Sequence, residues 1–142
     1  MASHRKERRL GVGHVALVGT DLRFSIHMSN TTADTETEAQ FLASFSTLDE
    51  YDGAAYARQS IANEASAVDL TNSRNEFTGD PLTFATLGVG TRQAVGVLML
   101  LHVTNNADSP PDTWFEVTAF DGNGEDVIFT ADAQGLLQNA NA

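Results

Sequence analysis

The residues best spaced for metal chemistry lie at 121–126, where Asp121, Asn123 and Glu125 alternate with two glycines. Oxygen ligands at alternate positions are typical of the beginning of a calcium-binding loop. The glutamate that completes such a loop at its twelfth position is missing, because Asp132 stands there. Since Asp-Gly and Asn-Gly also supply the positive φ angles of a β-hairpin, a hairpin is the preferred interpretation, and no metal or cofactor is predicted.

The other reactive side chains do not form a recognisable catalytic set. Zero cysteine excludes a disulfide framework, a thiolate metal site and a cysteine nucleophile. Neither Gly11-x-Gly13 nor Gly88-x-Gly90 continues into a phosphate-binding motif, and no Gly-x-Ser-x-Gly elbow is present. With no nucleophile, base and oxyanion donor in one pattern, the sequence predicts that the protein is not an enzyme. The four histidines share no metal-ligand spacing: His4, His14, His27 and His102.

The 142-residue chain carries 19 acidic and 8 basic residues, and the basic ones are unevenly placed. Residues 1–9 contain four of them and one acid, a net charge of +3, which leaves -14 on the other 133 residues. Such an acidic body argues against nucleic-acid binding, which requires clustered Lys and Arg. The basic arm is interpreted as a contact to an acidic partner surface, a neighbouring copy or nucleic acid, or else as a solvated terminus.

Residues 10–19 are apolar, but three glycines and a histidine interrupt them, which argues against a signal peptide. No stretch approaches the roughly 18 apolar residues of a membrane-spanning helix. The hydrophobic fraction of 42% is that of an ordinary globular domain, and the length suits a single one. We expect a soluble protein that is not secreted by this route and has no membrane contact.

Short strands separated by turns dominate the hydrophobic pattern. In residues 14–28, apolar and polar residues alternate in two short stretches, a pattern that is typical of a half-buried strand. Residues 93–103 form the most apolar stretch and predict a central strand that is buried on both faces. Further strands are predicted at 82–87, 113–120 and 126–131.

The intervening segments predict loops at 29–38 and 105–112 and an irregular polar stretch at 69–80. Apolar residues at helical spacing favour a short helix over 38–48, and residues 54–68 suit either a helix or a strand. The fold class is therefore mainly β, an antiparallel β-sandwich or partly closed barrel with one short helix. We divide the chain into a basic N-terminal arm (1–13), a single β-rich domain (14–138) and a loose tail (139–142).

The second half of the chain carries an ordered set of features. A tyrosine-centred segment ends in asparagine, and an acidic stretch with a phenylalanine follows it. A Thr-Phe strand, an apolar strand, a Ser-Pro loop and a terminal Gly-Asp-hydrophobic hairpin closed by Gly-Leu-Leu complete the set. The residues are, in order, Tyr56 to Asn63, Glu76-Phe77, Asp80 with Leu82-Thr83-Phe84, Ala94 to Leu98, Ser109-Pro110, Gly124 with Asp126-Val127, and Gly135-Leu136-Leu137.

In this order the features resemble a widespread group of small virion proteins of tailed bacteriophages. The resemblance covers roughly residues 50–138 and rests on the order of the elements, since no single element is specific. It implies a β-rich structural protein present in many copies, located in the virion after synthesis in the host cytoplasm. The doubled proline and the basic arm depart from the pattern and leave the position within the virion open.

The role that the resemblance implies first is capsid decoration, in which the protein binds the outer shell as a cement protein and stabilises neighbouring capsomers. Its partners are then the major capsid protein or other virion proteins, and we expect a homo-oligomer. The arm and the two polar loops are the candidate docking elements. The candidate partner-binding residues are Arg5, Lys6, Arg8, Arg9, Asn30, Thr31, Asn105, Asn106, Pro110 and Pro111.

Three alternatives belong to other classes. A head–tail connector or tail-associated structural protein differs from a decoration protein in its copy number. A carbohydrate-binding β-sandwich requires exposed aromatic side chains, whereas most aromatic residues here are phenylalanines suited to a core. A virion-associated glycosidase requires two carboxylates across a cleft, for which the sequence offers no motif.

Overall fold

The computed structural model describes residues 5–7, 21–63, 65–71, 74–130 and 137–140, and it confirms a mainly β fold with antiparallel sheets. The one helical element in these ranges is a single 3₁₀ turn at Leu42–Ser44. The strands are β1 (Arg5–Glu7), β2 (Leu22–Met28), β3 (Gln59–Ser60), β4 (Ala65–Asp69), β5 (Arg74–Thr78), β6 (Leu82–Leu87), β7 (Ala94–Leu101), β8 (Pro111–Phe120), β9 (Glu125–Phe129) and β10 (Leu137–Ala140).

The strands form three sheets. The largest has the order β1-β8-β7-β2-β3, and β6 with β9 and β10-β5-β4 form the other two. Because β3 packs beside β6, the larger sheet and the β6–β9 pair curve around a shared core. The sheets do not close, which leaves a seam between β8 and β9.

Strand β7 lies at the centre of the largest sheet, and its residues are mostly buried, as its apolar run predicts. Its two faces belong to different cores. Val97 and Met99 pack with Phe24, Phe84 and other residues inside the curved sheets. Leu98 and Leu100 pack with Trp114 on the other face, with Ala33, Leu42 and Phe45 from the segment that follows β2.

The path of that segment, residues 29–49, shows that two predictions are wrong. The helix predicted over 38–48 is wrong beyond Leu42–Ser44, because the segment crosses the outer face of the sheet in an irregular path. The prediction that β2 is half-buried is also wrong, since Ser25 and His27 are both 0% exposed. The same segment covers the face that the alternation assigned to solvent.

The turn at 121–124 does not close the predicted hairpin. Gly124 has the expected positive φ of 89°, but β9 pairs with β6 instead of β8. The polar stretch predicted as irregular at 69–80 contains β5, which pairs with both β4 and β10. Strand β10 reaches Ala140, so the tail that we expected to be loose begins inside a strand. The predicted alternation over 14–19 lies outside the described residues.

Candidate functional site

The basic arm reaches the edge of the largest sheet. Arg5 and Lys6 lie in β1, where their backbone pairs with Phe115 and Trp114 of β8 in antiparallel register. The arm residues Arg8 and Arg9 lie outside the described residues. The arm therefore adds a strand next to the start of β8, which is the element that follows the second predicted docking loop.

The first predicted docking loop is held to the rest of the 29–49 segment by its own polar groups. The Asn30 backbone N–H donates to Asp49 Oδ2 at 2.9 Å, and the Asn30 residue is exposed. Thr31 is only 8% exposed, and its Oγ1 accepts from the Ala33 backbone N–H at 3.1 Å. Asn30 is therefore open to a partner, whereas Thr31 shapes the loop from inside.

The second predicted loop ends two residues earlier than the sequence indicates, because Pro111 is buried and begins β8. Within the loop, the backbone N–H groups of Thr104 and Asn105 donate to Asp108 Oδ1 at 2.9 and 2.8 Å. These hydrogen bonds hold the pKa of the Asp108 carboxyl below its usual range. Asn105 is exposed, so it combines a turn-forming role with access to solvent.

The two loops meet through the 3₁₀ turn. The Leu42 and Ala43 backbone N–H groups donate to the carbonyls of Ser109 and Asn106, at 3.0 and 2.9 Å. The two loops, which the sequence predicts as separate elements, therefore form one surface. This surface lies over the core that residues 29–49 form with the largest sheet, and we call it the docking face. Its exposed residues include Asn30, Thr35, Glu38, Phe41, Ser44, Val103 and Asn105.

An ion pair anchors the docking face to the sheet below it. Arg58 donates to both oxygens of Glu50 at 2.8 Å and to Asn106 Oδ1 at 3.0 Å. The Tyr56 hydroxyl donates to Glu50 at 2.5 Å and accepts from the Ile26 N–H at 3.1 Å. Burial alone raises the pKa of Glu50, but the hydrogen bonds from Arg58 and Tyr56 outweigh it and hold that pKa below its usual range.

A buried serine–histidine pair lies beneath the same face. His27 Nδ1 is 2.7 Å from the Leu48 carbonyl, which can only accept, so Nδ1 carries the hydrogen of the neutral ring. Nε2 then accepts from Ser25 Oγ at 2.7 Å. This resembles a nucleophile and its base, but neither residue is exposed, so a substrate cannot reach the hydroxyl. What the pair does here is to join β2 to the 29–49 segment.

Because burial lowers the pKa of His27, the stability of the protein should depend on pH below neutrality. An unfolded histidine titrates near ~6.5, so below that pH the unfolded state binds a proton that the folded state binds less tightly. We expect the free energy of unfolding to fall by about 1.4 kcal/mol per pH unit from pH ~6.5 until the folded-state pKa is reached. Urea unfolding at pH 7.5, 6.5 and 5.5 measures this slope.

The matched pair His27→Gln and His102→Gln identifies the group responsible. The slope between pH 6.5 and 5.5 should vanish in the first variant and persist in the second. An unchanged slope in His27→Gln would assign the pH dependence to another residue.

In the segment 121–126, where the spacing of oxygen ligands was weighed against a hairpin, two carboxylates accept hydrogen bonds from the protein itself. Asp121 Oδ1 accepts from the Gly90 N–H at 2.9 Å and lies 2.7 Å from the Tyr51 hydroxyl, while Asp126 Oδ1 accepts from the Thr86 N–H at 2.9 Å. The hydrogen bonds from Gly90 and Tyr51 hold the pKa of Asp121 below its usual range. Among the described residues, no group of three or more histidine, aspartate or glutamate side chains could hold a metal ion.

The docking face presents the carboxylates of Glu36 and Glu38, and each arginine side chain that the structure describes is paired with another carboxylate. Arg23 pairs with Asp21, Arg58 with Glu50, and Arg92 with Asp49. A groove of about 390 Å³ runs along the face and is lined by Thr35, Glu36, Thr37, Glu38, Ala39 and Ser44. A partner that docks there meets carboxylates and small polar groups.

Sequence reasoning named the two loops and the arm but missed the groups that hold them, namely Glu50, Arg58 and Ser25. The signal for Ser25 was present, since a period of two places it on the same strand face as His27. No comparable signal exists for Arg58 and Asn106, which are 48 residues apart. In the ranges that the structure describes, no helix is long and apolar enough to cross a membrane.

No protein-family model matches this chain, and no curated protein or solved structure is significantly similar to it.

Proposed function

We propose that the protein is a bacteriophage capsid decoration protein, which binds the outer shell and stabilises neighbouring capsomers. One observation carries the proposal beyond the resemblance in sequence: the three predicted docking elements are neighbours in the fold. The arm pairs with β8 at Thr113–Phe115, the second loop leads into β8, and the 3₁₀ turn joins that loop to the first one.

The architecture suits this task physically. A shell-binding protein has to present a fixed surface to a repeating lattice, and a loop face anchored to a sheet is preorganised for such contact. The Glu50–Arg58–Asn106 contacts and the Ser25–His27 pair provide that anchoring. Several modest contacts to adjacent capsomers raise the overall affinity without one large interface.

The charge distribution also predicts how binding depends on salt. The acidic face and the basic arm offer contacts of opposite sign, and Debye screening weakens contacts between exposed charges as ionic strength rises. We therefore expect shell occupancy to fall between 0.05 and about 0.5 M salt. A head–tail connector is the competing assignment, and salt dependence does not separate the two.

Copy number does separate them. Quantitative mass spectrometry of purified particles, referenced to the major capsid protein, should give about one copy per capsid subunit or per three subunits. Six or twelve copies per particle would assign the protein to the neck or tail, and absence from the particle would refute the virion assignment.

The arm is tested by a variant that keeps its length but removes its charge, with Gln at Arg5, Lys6, Arg8 and Arg9. We expect this variant to occupy shells less fully than the unmodified chain at low salt. Equal occupancy and equal thermal stability of the particles would remove the arm's charge from the mechanism. The matched control is Arg23→Gln, which removes one exposed positive charge from the body.

A further inference from the structure

The turn between β8 and β9 contains the chain's one Asn-Gly dipeptide, Asn123-Gly124. Both residues are exposed, and a Cβ added to Gly124 would find no atom within 4 Å. Because glycine has no Cβ, nothing on the side chain shields the backbone nitrogen that follows the asparagine. The dipeptide therefore has the composition and the exposure that favour a reaction between this nitrogen and the asparagine amide.

The reaction is deamidation, which needs no enzyme. The Gly124 backbone nitrogen gives up its proton and bonds to Asn123 Cγ, and the side-chain amide leaves as ammonia. The product is a cyclic succinimide that joins the side chain to the backbone. Water then opens the ring at one of its two carbonyls. Opening at the side-chain carbonyl gives aspartate, whereas opening at the main-chain carbonyl gives isoaspartate, with one additional carbon in the backbone.

In the folded chain, both reacting groups are engaged in hydrogen bonds. The Gly124 N–H donates to the Leu87 carbonyl at 2.8 Å, a distance of good hydrogen-bond geometry. The Asn123 Oδ1 accepts from the Glu125 backbone N–H at 3.1 Å, a contact by which asparagine commonly shapes turns. Succinimide formation requires the first hydrogen bond to break, and the second restricts rotation of the amide.

Tyr51 holds the residues that precede the dipeptide. Its hydroxyl accepts from the Gly122 backbone N–H at 2.9 Å and lies 2.7 Å from the Gly88 carbonyl. Gly122 packs so closely that an added Cβ would meet the carbonyl oxygens of Leu87 and Gly88. The Tyr51 contacts therefore fix the turn against the same stretch of backbone that accepts the Gly124 N–H. Local opening of this contact determines how often the nitrogen is free to react.

We propose that Asn123 is a site of spontaneous deamidation, at a rate set by local opening of the turn that Tyr51 holds. The modification goes beyond the proposed function, because it requires neither a shell nor another protein. The sequence supplies the reactive dipeptide, and the hydrogen bonds of Gly124 and Gly122 control its reactivity.

Both products alter the junction between β6 and β9. Isoaspartate places one additional backbone carbon shortly before Glu125, which pairs with Leu87, so it disturbs the register at which β9 begins. Either product adds a carboxylate to a turn where Asp121, Glu125 and Asp126 are already exposed, and like charges at short range repel one another. Because ammonia is lost, the change is one-way, and converted chains accumulate with a weaker β6–β9 pair.

The test compares the full-length protein with a synthetic peptide of residues 119–128 in the same mildly alkaline buffer. Peptide mapping by mass spectrometry follows conversion at Asn123. We expect both to react, the folded chain about tenfold more slowly, which is the effect of hydrogen bonds that must open first. Equal rates would show that the fold does not control the reaction. A folded chain without product when the peptide is fully converted would show that Asn123 is not a modification site, and either result overturns the proposal.

A pair of tyrosine variants tests the local control. Tyr51→Phe removes the hydroxyl that holds the turn and leaves Asn123-Gly124 intact, so we expect deamidation about fivefold to tenfold faster. Its matched control is Tyr56→Phe, because that hydroxyl bonds to Glu50 and Ile26 instead, and the rate should not change. Equal acceleration by both variants would assign the reaction to global unfolding, and no acceleration in Tyr51→Phe would remove this hydroxyl from the control; either result contradicts the proposal.

The consequence for stability is measured on separated products. Asn123→Asp carries the charge of one product on an ordinary backbone, so it isolates the effect of charge. The isoaspartyl chain, purified by chromatography, should unfold at a lower urea concentration than Asn123→Asp. An isoaspartyl chain with the same midpoint as Asn123→Asp would overturn the predicted effect of the additional backbone carbon.

Discussion

Replacement of Gly96 by alanine is expected to lower the free energy of unfolding by about 2–3 kcal/mol. Gly96 lies in central strand β7, and a Cβ placed there would lie 2.7 Å from Trp114 Cε2 and closer still to Cζ2. The Trp114 ring is rigid and 1% exposed, so it has no open space into which to move. Urea unfolding followed by circular dichroism measures the loss as a lower midpoint.

A second substitution shows whether the indole ring is responsible. Trp114→Phe removes the fused six-membered ring that meets the new Cβ, so Gly96→Ala should cost less in that background than in the unmodified chain. The two changes are then coupled, with the double variant more stable than the sum of the single losses predicts. Additive losses would show that Gly96 is constrained by something other than the Trp114 ring.

Removal of the Glu50 carboxylate is expected to have the next largest effect. Glu50→Ala should lower the free energy of unfolding by about 2–3 kcal/mol, because it removes the carboxylate that accepts from both Arg58 and the Tyr56 hydroxyl and leaves Arg58 with Asn106 alone. The side chains of Arg58 and Glu50 are 18% and 23% exposed, so water compensates the loss only in part. Urea unfolding at pH 7 measures the difference.

Two comparisons separate the network from a generic charge effect. Glu50→Gln keeps the shape and one acceptor oxygen, so its loss should lie between those of the unmodified chain and Glu50→Ala. Asp21→Asn breaks an exposed ion pair with Arg23 and should change the stability by less than about 0.5 kcal/mol. If Asp21→Asn lost as much unfolding free energy as Glu50→Ala, the contacts of Glu50 would contribute no more to stability than an exposed ion pair does.

The Glu50 variants also bear on the docking face. Arg58 contacts both Glu50 and Asn106, and the Asn106 carbonyl accepts from the Ala43 N–H. Loss of Glu50 should therefore loosen the second loop and speed amide hydrogen exchange at Ala43 more than at Leu98 in the core. The fold and the proposed binding surface thus depend on the same few polar contacts.

The sequence alone determined the local elements whose signals are contained within a few residues. The apolar run at 93–103 predicted β7 as a strand buried on both faces, and the structure confirms it at Ala94–Leu101. The alternation at 82–87 predicted β6 with its observed bounds. The acidic body and basic arm followed from counting charges, because composition requires no knowledge of the fold.

Tertiary structure decided everything that depends on distant partners. The apolar spacing at 38–48 suits a helix, yet the Leu42 and Ala43 N–H groups donate to Ser109 and Asn106, which limits the helix to one turn. The 121–124 turn suits a hairpin, yet the Tyr51 hydroxyl and the Gly90 N–H hold Asp121, and β9 pairs with β6. In both cases, backbone and side-chain groups far along the chain satisfied hydrogen bonds that the local pattern assigned to neighbours.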